Sequence, residues 1–183
     1  MGIFFNPGNG SFTKDRNYEI YVDKTELLKY LNRAIGTPGN CIAVSHARRF
    51  GKSHAAGMID AYYSLGSDSA KLFKGTKIAS DPDYEKYRNK YNVIHLDISS
   101  FWDFHKKDIV EKIIEDIFKE LKMDYPEEFN ERDRISYVLM KIYKKTGIPF
   151  VIIIDEWDCV VRNSTDQDLI HQYLQFLHSL FKS

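Results

Sequence analysis

The most regular pattern of apolar and polar positions lies between Asp108 and Leu121. Ile109, Ile113, Ile117 and Leu121 make one row, with Val110, Ile114 and Phe118 beside it, as an amphipathic helix requires. Tyr125-Pro126 ends it. A second helix carries Ile135, Val138, Leu139, Ile142 and Tyr143 and stops at Gly147-Ile148-Pro149. A third follows the cap-forming run Asn163-Ser164-Thr165-Asp166 and turns Leu169, Ile170, Tyr173, Leu174, Leu177 and Leu180 inward. Nearer the start, Leu27, Leu28 and Leu31 mark a helix that Asp23 or Thr25 can cap, and Gly36-Thr37-Pro38-Gly39-Asn40 closes it. Ala55, Ala56, Met58, Ile59, Tyr62 and Tyr63 recur at helical spacing after Ser53. The Tyr62-Tyr63 pair reads first as core and only second as a base-stacking surface.

Continuous apolar runs supply the strands. Three are expected, at 41–45, 93–97 and 150–154. The last, Phe150-Val151-Ile152-Ile153-Ile154, has the composition of a strand buried on both faces of a parallel sheet. Glu19-Ile20-Tyr21-Val22 reads as a short strand or extended piece, and Asn6-Pro7-Gly8-Asn9-Gly10-Ser11 as a loop or arm. Leu72-Phe73 is the expected buried anchor of a turn-rich stretch, and Tyr84 to Tyr91 is charged and partly helical. Strands alternating with helices predict an α/β fold with a largely parallel sheet flanked by helices. An N-terminal arm and helix over 1–40 lead into a core over 41–183.

Composition narrows the classes. Lys+Arg and Asp+Glu are equal at 26 each, so no global field draws the chain to nucleic acid or to an anionic membrane surface. No apolar run is long enough to span a bilayer, and the first residues lack a basic, leader-like segment. Cys41 and Cys159 each lie in or just after an expected strand, which suits reduced core thiols in a cytoplasmic protein, and no zinc-ligand spacing is present.

The chemistry concentrates in two places. Cys41 to Val44 leads into a turn closing with Gly51-Lys52-Ser53, and a helical segment follows at once. That order of strand, turn and helix start is the layout of a phosphate-binding P-loop of the Walker A type. Glycine lets backbone N–H groups close on phosphate oxygens, lysine neutralises the β- and γ-phosphate charge, and the hydroxyl holds Mg²⁺. The position five residues ahead of Gly51, a glycine in the full pattern, is His46. About a hundred residues later the apolar run ends in Asp155-Glu156. An acid at the carboxyl end of such a strand orders the metal shell, and an adjacent glutamate can polarise the attacking water. Asp97 ends another strand, where it serves either the ligand-binding edge or a helix cap. Lys24 reads as a surface lysine ahead of a ligand contact.

At Tyr21-Val22-Asp23-Lys24-Thr25, Ala47-Arg48-Arg49-Phe50-Gly51-Lys52-Ser53 and Ile153-Ile154-Asp155-Glu156-Trp157-Asp158 the chain resembles the AAA-ATPase-like proteins of bacteria and archaea. The resemblance spans nearly all of the chain. It implies a P-loop NTPase of the additional-strand, catalytic-glutamate type. By it, Arg48, Arg49, Phe50, Gly51, Lys52, Ser53 and His54 would form the nucleotide site. Ser53 and Asp155 would hold Mg²⁺, and Lys52 and Glu156 would act in catalysis. Arg48 and Arg49 either stabilise a transferring phosphoryl group or pair with neighbouring acids. The chain departs from the family pattern at His46-Ala47, where Arg-Pro is usual, and at Trp157, where tyrosine is usual. Family members continue into further strands and a domain similar to PD-(D/E)XK nucleases. This chain is therefore expected to be an N-terminal portion, with its sheet incomplete at the C-terminus.

These readings predict an ATP-binding, Mg²⁺-dependent ATPase module that drives or gates an attached effector, a nuclease-like domain among the candidates. The alternative is a catalytically weak or inactive nucleotide-binding regulatory module. A nucleic-acid-handling domain is a third reading, against which the neutral net charge counts. Self-assembly is open, and no membrane partner is expected.

Overall fold

The computed structural model describes residues 2–45, 50–129 and 133–181. The chain divides into two compact units, Met1–Val93 and Ile94–Ser183.

The first unit is built around helix α3, after α1 (Gly10–Arg16) and α2 (Glu26–Ala34); α3 itself runs Lys52–Tyr63. Short helices α4 (Ala70–Phe73) and α5 (Tyr84–Tyr87) and a 3₁₀ turn, Lys77–Ser80, follow. Its core is aromatic. Phe12 stacks on Phe73 at 4.8 Å, while Tyr62 meets Tyr63, Phe73 and Tyr84 at 4.9, 5.4 and 5.8 Å between ring centroids. Tyr62 and Tyr63 are thus core residues, as their spacing predicts. Their hydroxyls are paired: Asn32 Nδ2 donates to the Tyr62 hydroxyl at 3.1 Å, that hydroxyl donates to the Tyr84 carbonyl at 3.0 Å, and the Tyr63 hydroxyl donates to Asn32 Oδ1 at 2.7 Å. Burial raises both phenol pKa values far above the ordinary range.

Helix α1 crosses α3 where Gly57 leaves room, since a Cβ there would stand 2.6 Å from Ser11 Oγ. The far end of α3 is closed by Asn89, a residue type that tolerates its φ of 56°. The Asn89 amide donates to the carbonyls of Ala61, Tyr62 and Ser64 at 3.0, 3.3 and 3.1 Å, satisfying groups a helix end leaves open.

Among the described residues the regular strands are β1 (Asn92–Asp97) and β2 (Phe150–Asp155), which form a small parallel sheet. In the second unit β1 leads into α6 (Ile98–Phe104), followed by α7 (Ile109–Asp124), α8 (Ile135–Thr146), α9 (Cys159–Asn163) and α10 (Gln167–Phe181). The row Ile109, Ile113, Ile117 and Leu121 is the buried face of α7. Ile135, Val138, Leu139 and Ile142 are that of α8, and Tyr143 stays exposed. Asp166 caps α10, its carboxylate accepting the N–H groups of Asp168 and Leu169 at 3.0 and 3.1 Å.

Several expectations need correcting. Cys41 to Ser45 forms no strand: Ile42 is half-buried, the others are exposed, and among the described residues the run has no ladder partner for its backbone. Cys41 is accordingly an exposed thiol, whereas Cys159 is buried. Glu19 to Val22 forms no strand either, with Ile20 and Val22 exposed. The expected arm over Asn6 to Ser11 instead runs into α1, which starts at Gly10. Every residue of β2 is half-buried, not enclosed on both faces.

Asp97 takes the capping role. Its carboxylate accepts the Ser99 N–H at 3.0 Å and the Ser99 and Ser100 hydroxyls at 2.6 and 2.7 Å. Burial pushes its pKa up, but these hydrogen bonds outweigh burial and hold it below the ordinary 3.8. A folded-state pKa lower than the unfolded one gives stability that is present above pH 3.8 and lost as pH falls through the folded value. Asp97→Ala should therefore cost about 1 kcal/mol near neutral pH. In urea titrations the gap between wild type and variant should close in acid; a gap independent of pH would contradict the charged cap.

Candidate functional site

Gly51, the residue before α3, has φ 76° and ψ 38°, a left-handed conformation that glycine adopts without Cβ strain. This turn sends the chain straight into the helix, so Lys52 and Ser53 occupy its first turn, where backbone N–H groups lack helical acceptors. Lys52 is half-buried, Ser53 exposed, and Phe50 stands 63% exposed ahead of them. The positive end of the helix dipole and a lysine coincide there, which favours an anion. His46, Arg48 and Arg49 lie outside the described residues.

Two neighbours act on this turn. The Lys24 ammonium donates to the Phe50 carbonyl at 2.6 Å. His54 Nδ1 lies 2.6 Å from Asp15 Oδ1, so the imidazole is engaged with α1. The sequence offers little sign of the Lys24 contact, because the partners are 26 residues apart and one is a carbonyl. The hints are that Lys24 falls between Asp23 and Thr25, both types that bind backbone groups, and within the Tyr21 to Thr25 segment of the family resemblance.

In the second unit, Asp155 ends β2 and accepts the Glu156 N–H at 3.0 Å with its own Oδ1. Glu156 has φ 50°, which is uncommon for a residue with a Cβ and marks a turn held by its surroundings. Its carbonyl accepts the Cys159 N–H at 2.9 Å, and the Trp157 carbonyl accepts the Tyr173 hydroxyl at 2.7 Å. The Glu156 carboxylate receives Arg162 Nη2 at 3.0 Å, and Nη1 of the same guanidinium lies 3.4 Å from Asp158. Sequence reasoning passed over Arg162; the signal available was its place four residues after Asp158, one helical turn along. Trp157 is 54% exposed beside this cluster.

The predicted site residues that are described fall into two groups, Phe50 to His54 around one helix start and Asp155 with Glu156 at one strand end. The two halves belong to different units. Mg²⁺ takes hard oxygens and is commonly bound by one or two protein groups plus phosphates and water. The Ser53 hydroxyl in the first unit and the Asp155 carboxylate in the second are each of that donor type. Among the described residues no three His, Cys, Asp or Glu side chains gather into a metal-holding cluster.

A helix-rich α/β chain with a small parallel sheet, a left-handed glycine feeding Lys-Ser into a helix, and a strand ending in two acids is compatible with a P-loop-like fold. A family model described as "Predicted AAA-ATPase" matches residues 8–183, and the chain belongs to that AAA-ATPase-like family. Membership suggests nucleotide binding and ATPase activity. Comparison with curated proteins and with solved structures returns no match. No helix among the described residues is long and apolar enough to cross a membrane.

Proposed function

We infer that this chain is an ATP-binding, Mg²⁺-dependent ATPase module of the additional-strand, catalytic-glutamate type, whose nucleotide cycle drives or gates an attached effector. What carries the reading is the left-handed Gly51 that opens α3 with Lys52 and Ser53, in a chain matched to the family from residue 8 onward. Gly51 and the first turn of α3 supply N–H groups for the phosphates, and Lys52 neutralises them. Ser53 and Asp155 would hold Mg²⁺, which supplies charge neutralisation on the β- and γ-phosphate oxygens when bound. Glu156 takes the proton of the attacking water.

A weaker enzyme, or a nucleotide-binding regulatory module, is favoured by one observation: the Glu156 carboxylate is engaged by Arg162. Equilibrium binding of ATP with Mg²⁺, followed by phosphate release, separates the two. The ATPase reading expects both binding and release in the wild type. Lys52→Ala should lose affinity by about a hundredfold or more, as the loss of a charge-assisted phosphate contact implies. Tight binding without release supports the regulatory module. Binding that survives intact in Lys52→Ala would refute the phosphate turn.

A further inference from the structure

Lys24 stands between two residues that are fastened to the fold. The Asp23 carboxylate accepts the Thr25 N–H with Oδ1 and the Lys77 N–H with Oδ2, both at 2.8 Å. Burial raises the Asp23 pKa, but these bonds outweigh it and hold the group below the ordinary carboxylate range. Thr25 is fully buried, and its hydroxyl oxygen accepts the Ile78 N–H at 3.1 Å. The backbone of 23–25 is therefore pinned to the turn at Lys77–Ser80, and the lysine between the two anchors starts from a fixed position.

Although Lys24 is exposed, its ammonium is held by a backbone group of the turn. It reaches the Phe50 carbonyl at 2.6 Å, the peptide leading into Gly51, and a Cβ on Gly51 would stand 2.6 Å from the same nitrogen. An ammonium has three donors, and this contact uses one of them. This places a second cation at the peptide just ahead of α3, where the helix dipole also favours an anion.

We propose that Lys24 is a second cation of the phosphate turn: it positions the peptide before Gly51 and presents an ammonium to the phosphate chain of a nucleoside triphosphate, alongside Lys52. This rests on the nucleotide-binding reading above. Two lysines make the turn selective for phosphate charge, so the preference for triphosphate over monophosphate depends on Lys24. A Cβ at position 51 would also crowd the ammonium, but as the end of a flexible side chain the ammonium can shift aside, so the positive φ is the stronger demand for glycine there.

The test is equilibrium titration of the full chain with fluorescent ribose-labelled ATP and AMP in Mg²⁺, for wild type, Lys24→Met and Lys24→Arg. Met keeps the length of the stem and removes the charge. Wild type should prefer ATP. Lys24→Met should weaken ATP about tenfold and AMP less than twofold, with an unchanged melting temperature, and Lys24→Arg should recover most of the loss. Equal losses for ATP and AMP, or a loss that tracks a lower melting temperature, would reduce Lys24 to a strut of the loop. Wild-type ATP affinity in Lys24→Met would remove Lys24 from the site and leave the site standing. Absence of ATP binding in the wild type would overturn the nucleotide reading and this proposal together.

Discussion

Glu156→Gln should stop phosphate release while ATP stays bound. Glutamine preserves the length and branching of the side chain, so the strain of φ 50° is common to both residues and the turn after β2 is unchanged. What is lost is the capacity to take a proton. A positioned general base contributes about 10²- to 10⁴-fold to rate, and turnover should fall by that order. The substitution also removes the charge that pairs with Arg162. Both side chains of that pair are about a third exposed, and pairs of this kind are worth roughly 0–1 kcal/mol, so folding should be little affected. Single-turnover phosphate release, measured beside equilibrium nucleotide binding, gives the readout. Unchanged release would show that Glu156 is only the ion-pair partner that it is in this structure. Loss of binding together with release would show instead that the residue supports the nucleotide pocket.

The helices were legible because their information is local. Each turn of α7 repeats an apolar residue on the same side, and that row is what the fold buries. The cap of α10 was legible for the same reason, since Asp166 acts on backbone groups two and three residues away. Strands are different: a run such as Cys41 to Val44 has strand composition, but a strand exists only where another pairs with it. For β1 and β2 that partner exists, and for Cys41 to Ser45 none is found among the described residues, which is why similar runs had different outcomes. The half-exposure of β2 has the same origin, since an apolar composition cannot reveal how much of each face its neighbours cover. In α1 the misleading signal was Gly8-Asn9-Gly10, a turn composition that gives way to a helix carrying one buried residue, Phe12.

The candidate site divides along the same line. The helix start at Lys52 and the acids at the end of β2 were legible because the residue types and their local order define them. The contacts that modify those groups are Lys24 on Phe50, Asp15 at His54 and Arg162 on Glu156. The first two span 26 and 39 residues, and although Lys24 lies in a segment of the family resemblance, nothing in that segment names its partner. Such partners are chosen by packing, through the pinning of Asp23 and Thr25 on the turn at Lys77–Ser80 and the seat of α1 over Gly57.

That packing can be tested at the other end of α3. Tyr62 is fully buried, meets three other rings, and has a hydroxyl that both accepts from Asn32 and donates to Tyr84. Tyr62→Ala opens a cavity and strands those polar groups, and large aromatic-to-alanine changes of this kind cost about 3–5 kcal/mol. Against a typical total of about 5–15 kcal/mol, that is a large share of the stability of the fold. The melting temperature should fall by on the order of 10 °C for a chain of this size. Tyr62→Phe keeps the ring and loses only the hydroxyl, so it should cost about 1–3 kcal/mol. A helix of this length holds its ends roughly 15 Å apart. Tyr62→Phe should therefore leave ATP affinity within about twofold at temperatures where the variant is folded, because the phosphate turn lies at the opposite end. Urea denaturation and nucleotide titration of the same samples decide it. A loss under about 1 kcal/mol in Tyr62→Ala would mean the aromatic cluster does not hold the first unit together. A large loss of affinity in folded Tyr62→Phe would mean the core sets the shape of the turn directly, with Lys24 following it and not fixing it.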